Sequence, residues 1–131
     1  MLNRQQILDA TDIDYRDEDV PEWGGPVRIR ALSGTERDAW DAGMVVMGSQ
    51  GNVQRVRLED KRARLLVMAL VDEDGQRLFD DRDVKALGAK NGTVLDRLYA
   101  IASDLSGLNP QAVEAAAGNS AAAPSGASTT D

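Results

Sequence analysis

The sequence predicts an α+β fold, predominantly α-helical, in which an N-terminal β-hairpin packs on a small helical bundle. Three observations predict it. Apolar and polar residues alternate at period two on both sides of Gly24-Gly25, the pattern of a hairpin. Apolar residues then recur at helical spacing in several segments between Ser33 and Leu108. From Gly118 onward there is no Val, Leu, Ile, Met or aromatic residue at all. A segment with so little to bury cannot offset about 1–2 kcal/mol per residue of backbone ordering. The 131 residues are therefore expected to form one domain over 1–117, with a hairpin at 12–31 and helices over 34–117. Residues 118–131 are expected to be a disordered tail.

The elements follow in order. Asn3 is placed to cap a short first helix whose apolar edge is Ile7 and Leu8. In the hairpin, Ile13, Tyr15 and Val20 alternate with acids on the first arm. Val27, Ile29 and Ala31 alternate with Pro26, Arg28 and Arg30 on the second. Pro21 restricts the first arm to a sheet edge or to a late, irregular strand. Asp17, Glu18 and Asp19 face the prospect of pairing with Arg28 and Arg30, which would help to fix register. Gly24-Gly25 is expected to supply the tight turn, with a positive φ at Gly25.

Ser33-Gly34-Thr35-Glu36 is a capping box. The helix it opens is expected to place Trp40, Met44 and Met47 on one face, and Gly48-Ser49-Gln50-Gly51-Asn52 to break it. A second helix from about Val53 to Leu70 is expected to be the longest, with Val56, Ala63, Val67 and Leu70 as its stripe, widened by Leu58, Leu65 and Ala69. Asp72-Glu73-Asp74-Gly75 reads as a turn and Arg77-Leu78-Phe79 as a brief extended return. Asp80 or Asp81 should cap a helix through Leu87, closed by a left-handed Gly88. Thr93-Val94-Leu95-Asp96 opens an amphipathic helix whose core face is Val94, Leu95, Leu98, Ile101, Ala102 and Leu105, with Tyr99 at its border. Asn109-Pro110 starts a last short helix ending at Gly118.

Composition narrows the function. There is no His and no Cys, so a Ser-His or Cys-His nucleophile pair, a conventional zinc site and a disulfide are all excluded. A net charge of -7 opposes sequence-independent binding to nucleic acid and to anionic membranes. The N-terminus lacks the apolar run of a signal peptide, and the longest apolar run, Leu65 to Val71, is too short to span a bilayer. A cytosolic protein is expected.

Four motifs carry a functional reading beside a plainer one. The acids from Asp72 to Asp83 suggest calcium, but with Gly75 at loop position six the first and last ligand positions fall on Leu70 and Asp81. A solvated turn and a helix cap account for them better. The cations Arg55, Arg57, Lys61, Arg62 and Arg64 are interleaved with Glu59 and Asp60 and have no aromatic among them. They read as a solvated helix face, or as a docking face for an acidic partner. Trp40, Met44 and Met47 are either core or an adaptable binding face. Trp23, beside the glycines, is either tucked back or offered as an interface anchor. These four residues, Trp23, Trp40, Met44 and Met47, are the candidate partner-binding set. No catalytic, cofactor-binding or metal-ligating constellation is found: there is no Gly-rich phosphate loop, and Lys61, Lys85 and Lys90 stand in charged contexts, not the apolar ones an amine nucleophile needs.

The ordered run of these segments resembles the tail assembly chaperones of long-tailed, non-contractile bacteriophages, especially the actinobacterial-phage type. The resemblance is carried by Val20-Pro21-Glu22-Trp23-Gly24-Gly25 with Val27-Arg28-Ile29-Arg30, by Leu32 through Asp38, and by Leu70 through Phe79. It continues in Asp83 through Gly88, Leu95-Asp96-Arg97-Leu98 and Leu105-Ser106-Gly107-Leu108, and so covers about Leu2 to Asn119. It implies a non-enzymatic protein without cofactors that binds the tape measure protein and helps tail tube protein polymerise around it. Self-association is admitted as a further property, while nucleic acid and membrane are not expected as partners. It also implies a place in the cytoplasm of the infected cell, absence from the mature virion, and a longer form made by translational frameshift in many members. The alternatives are a permanent virion component, such as a tail or connector protein, and a small host-side regulator.

Overall fold

The computed structural model describes residues 1–108, and its fold is mixed helix and strand. The last helix expected at Asn109-Pro110, its end at Gly118 and the tail at 118–131 lie outside the described residues. The hairpin is present: β1 (Tyr15–Val20) pairs antiparallel with β2 (Gly25–Arg30), with Tyr15 opposite Arg30 and Val20 opposite Gly25. Ile29 and Val20 are fully buried. A third strand, β5 (Leu70–Val71), pairs antiparallel with the far side of β2 and completes a sheet of order β1-β2-β5. The sequence reading placed Leu70 at the end of a helix instead. An uninterrupted apolar run has no period of its own, so helix and buried strand look alike there.

Helices α3 (Lys61–Ala69) and α5 (Gly92–Ser106) pack on each other and on the sheet. Ala63, Leu65, Leu66, Val67 and Ala69 of α3 are buried against Val94, Leu95, Leu98, Ile101 and Ala102 of α5, as the helical spacing of the latter predicts. Asn91 caps α5 by accepting from the amides of Thr93 and Val94. The Leu32 amide donates to the Ser106 hydroxyl at 3.0 Å, which ties the exit of β2 to the end of α5. Arg97 on α5 meets Glu18 at 3.6 Å and Glu22 at 3.2 Å and so holds the hairpin from below.

Several elements differ from expectation for identifiable reasons. The expected Val53–Leu70 helix is two elements: β4 (Val53–Val56) and the shorter α3, so the longest described helix is α5. Val56 and Leu58, assigned to the core stripe, are exposed. Helix α2 (Gly34–Gly43), with the predicted capping box between Ser33 and Glu36, ends before Met47, which sits in β3 (Val45–Met47). Strands β3 and β4 form a separate antiparallel ribbon across Gly48 to Asn52, with a register shift at Met47. Branched Val45, Val46, Val53 and Val56 flanking a Gly-rich break are a hairpin signal, and the helical spacing of Trp40, Met44 and Met47 masked it. Helix α1 (Arg4–Asp9) has the expected Asn3 cap but buries none of its residues. The Asp72–Gly75 turn brings Arg77 back into a bridge with Val71, and Asp80 caps a 3-10 turn (Asp81–Asp83) leading into α4 (Val84–Gly88).

Two glycine expectations change. The hairpin connection is a 3-10 turn (Pro21–Trp23), and the left-handed residue is Gly24 at φ 88°, not Gly25. Gly24→Val should therefore cost about 1–2 kcal/mol. Gly25→Val, whose Cβ would meet nothing within 4 Å, should cost much less. Thermal melts of the two variants check the assignment. Gly88 likewise has no positive φ. A Cβ there would come within 3.0 Å of an Asp60 carboxylate oxygen, so close approach between α4 and the start of α3 is what favours glycine. The cross-strand charges sort differently too. Arg28 grips Asp17 through two bonds of 2.8 and 3.1 Å and lies over the Tyr15 ring at 4.1 Å, whereas Arg30 turns away to Glu36.

Candidate functional site

Among the described residues an open groove of about 430 Å³ lies between α2, α3 and the start of α4. Its character follows from the helices that make it. The capping box fixes the first turn of α2, and one turn later Ala39 and Trp40 face α3. The Trp40 ring is buried and forms the floor. Val67 and Met68 of α3 and Val84 of α4 supply the apolar walls. Met68 is half-buried and packs against the core with one side only, so its thioether can adjust to what lies in the groove.

The rim is charged but internally neutralised on one side. Glu36 accepts two bonds from Arg30, at 2.7 and 2.5 Å, and also closes the capping box on the Ser33 amide. The Arg30 guanidinium, first, and the Ser33 amide lower its pKa to about 2 against the opposing effect of burial. Asp81 pairs with Arg77 at 3.2 Å, and Arg77 also donates to the Val67 carbonyl at 2.9 Å. Arg64, on the other side, forms no ion pair among the described residues. It donates to the backbone carbonyls of Glu59 and Arg57 and approaches the Met44 sulfur at 3.5 Å. Burial and then the neighbouring Arg57 charge depress its pKa.

Through Arg64 the groove runs on into the β3–β4 ribbon. The Arg57 amide donates to the Met44 carbonyl, which joins the ribbon to the end of α2. The ribbon presents exposed Met47 and Val56, followed by exposed Leu58.

The four candidate residues are thus not one stripe. Trp40 is the groove floor, Met44 is half-buried against the core at the junction, and Met47 is exposed on the ribbon. Trp23 sits apart, partly packed on the core beside a notch of about 190 Å³ lined by Phe79, Ala86, Leu87 and Lys90. Sequence reasoning missed Met68 and Arg64 as groove residues, because only the tertiary placement of α3 beside α2 brings them to one groove with Trp40. The basic run is dispersed as well. Lys61 lies over the Tyr99 ring at 5.4 Å and Arg62 pairs with Asp96, which leaves Arg55, Arg57 and Arg64 beside the ribbon and groove with no ion pair among the described residues.

Among the described residues no group of three or more acids is arranged to hold a metal ion, and no helix is long and apolar enough to cross a membrane. The carboxylate of Asp72 accepts from the amides of Asp74 and Gln76, at 2.8 and 3.0 Å, as a turn requires.

Comparison with known proteins gives two findings. The model of a family described as phage tail assembly chaperone matches residues 3–119. The chain is also similar to a solved structure, the bacteriophage HK97 tail assembly chaperone, with 25% identity and a TM-score of 0.53 over 77% of this chain and 90% of that one. No curated protein matches.

Proposed function

Since the chain belongs to the phage tail assembly chaperone family, we propose that its client is the tape measure protein, which it holds while tail tube protein polymerises around it. The observation that carries this reading is the open groove over Trp40, lined by Met68 and bordered at the Arg64 junction by Met44. A chaperone needs a surface that wets apolar side chains of varied shape, and releases them when a better-fitting subunit arrives. Half-buried Met68 and Met44 suit that task, because thioethers repack at low cost. A non-enzymatic role without cofactors follows from the same reading. So do a site of action in the cytoplasm of the infected cell and absence from the finished particle.

Co-expression with the tape measure protein should keep that client soluble and allow the two to be purified together. Met47→Asp should weaken capture without loss of helix signal, because Met47 is exposed. Met44→Asp should lower stability by about 1–2 kcal/mol, because a carboxylate there is partly desolvated. Circular dichroism separates the two effects. An insoluble client in the presence of the wild-type chain would refute the reading. Stoichiometric copies in purified virions would instead favour a permanent structural component.

A further inference from the structure

The chain as a whole is acidic, at -7, yet the border of the groove and ribbon is not. Between Gly43 and Leu58 there is no acid, and Arg55 and Arg57 form no ion pair among the described residues. The groove's own carboxylates are spoken for: Glu36 by Arg30, and Asp81 by Arg77. Glu59 and Asp60, the nearest acids in sequence, are both engaged by Lys85, at 3.6 and 2.6 Å. The remaining α2 acids, Asp38 and Asp41, do not line the groove. What forms no ion pair around this apolar surface, among the described residues, is positive: Arg64 at the junction, whose charge Asp60 and Glu59 offset in part, with Arg57 and Arg55 beyond it.

We infer that the segment held here is an acidic amphipathic helix, its apolar stripe in the groove over Trp40 and Met68 and its carboxylates toward Arg64, Arg57 and Arg55. This rests on the client-holding reading above and names the chemistry of the client segment. Two helices already form the walls, and a third laid between them is the ordinary way to fill such a trough. The flanking cations set its polarity: a basic helix of the same shape would meet three guanidinium groups that form no ion pair among the described residues, a repulsion that discriminates without tight binding.

The test uses the full chain and two synthetic peptides with the same leucine stripe, one carrying Glu and the other Lys at the remaining positions. Fluorescence anisotropy of the labelled peptides reads binding. The Glu peptide should bind about tenfold more tightly at low salt, and the preference should shrink severalfold near 0.5 M, about where the screening length falls to a few ångströms. The double variant Arg55→Glu with Arg57→Glu, on the exposed ribbon, should remove or reverse the preference at unchanged melting temperature. Equal binding of both peptides, or an unaltered preference in the variant, overturns the inference. So does exclusion of both peptides by self-association, read by light scattering, or a preference for a labelled single-stranded oligonucleotide. Capture of the tape measure protein is scored separately. If the variant still keeps that client soluble, the charge inference falls and the chaperone reading stands. If the wild-type chain fails to capture it while the peptide preference holds, the client identity falls instead.

Discussion

Trp40→Ala should lower the stability of the protein by about 3 kcal/mol, the low end for a buried tryptophan, because the space it leaves opens to the groove and can admit water. For a domain of this size that corresponds to a fall in Tm of roughly 10 °C or more. The physical reason lies in its two neighbours. One side of the ring belongs to the core cluster shared by α3 and α5, and the other is the groove floor. Trp40→Phe should recover most of the loss. The comparison separates packing from recognition: a phenylalanine floor restores the core contacts but leaves a wider groove, so client capture should stay weakened while Tm returns. A loss below about 1 kcal/mol for the alanine variant would show that other side chains carry the junction between α2 and α3.

Acid should weaken the fold through Glu36 first. Its pKa is near 2 in the folded chain against an ordinary 4.5. A carboxylate depressed on folding contributes fully above its unfolded pKa and loses that contribution as pH falls through the folded one. The window is therefore from about 4.5 down to about 2. With the pair only about a fifth exposed on each side, the contribution is about 2 kcal/mol after a discount for solvent screening. Glu36→Gln keeps the capping-box geometry and removes the charge. It should be less stable at pH 7 by that amount, and should lose less stability than the wild type between pH 5 and 3. Asp17, Glu22 and Asp80 have pKa values lowered by Arg28, Arg97 and Arg82. They act with the same sign but are about half exposed, so solvent screens them more. Parallel melts of wild type and variant across that range decide the matter, and identical slopes would refute it.

Much of the fold was legible because local chemistry and tertiary structure agree. The Ser33 and Asn3 capping boxes, the core face of α5 and the hairpin around Gly24 each have a one-to-one sequence signal. Legibility failed where two periods compete. Trp40, Met44 and Met47 fit a helix, but Val45 and Val46 prefer a strand, and the Gly48–Asn52 turn lets β3 find β4. Leu70-Val71 failed for another reason: a strand buried on both sides carries no alternation to read. The groove itself was half legible. Trp40 carries a signal as an aromatic at helical spacing, but Met68 and Arg64 line the groove with it only through the placement of α3 beside α2, which no local pattern encodes. Trp23 was an aromatic at a turn; it packs in part beside Phe79, not on the first helix, and the same notch leaves part of it open to a partner.

The central strand β2 has neighbours of very different origin, and this sets an order of events in folding. Its pairing with β1 closes a turn of a few residues and can form as soon as both arms exist. Its pairing with β5, Ile29 opposite Leu70, closes a loop of about forty residues whose entropy must be lost before any contact repays it. That loop contains α2 and the ribbon, so groove and sheet mature together. Until β5 docks, the far edge of β2 is an open template in a nascent chain, held off from foreign strands by little more than Arg28 and Arg30.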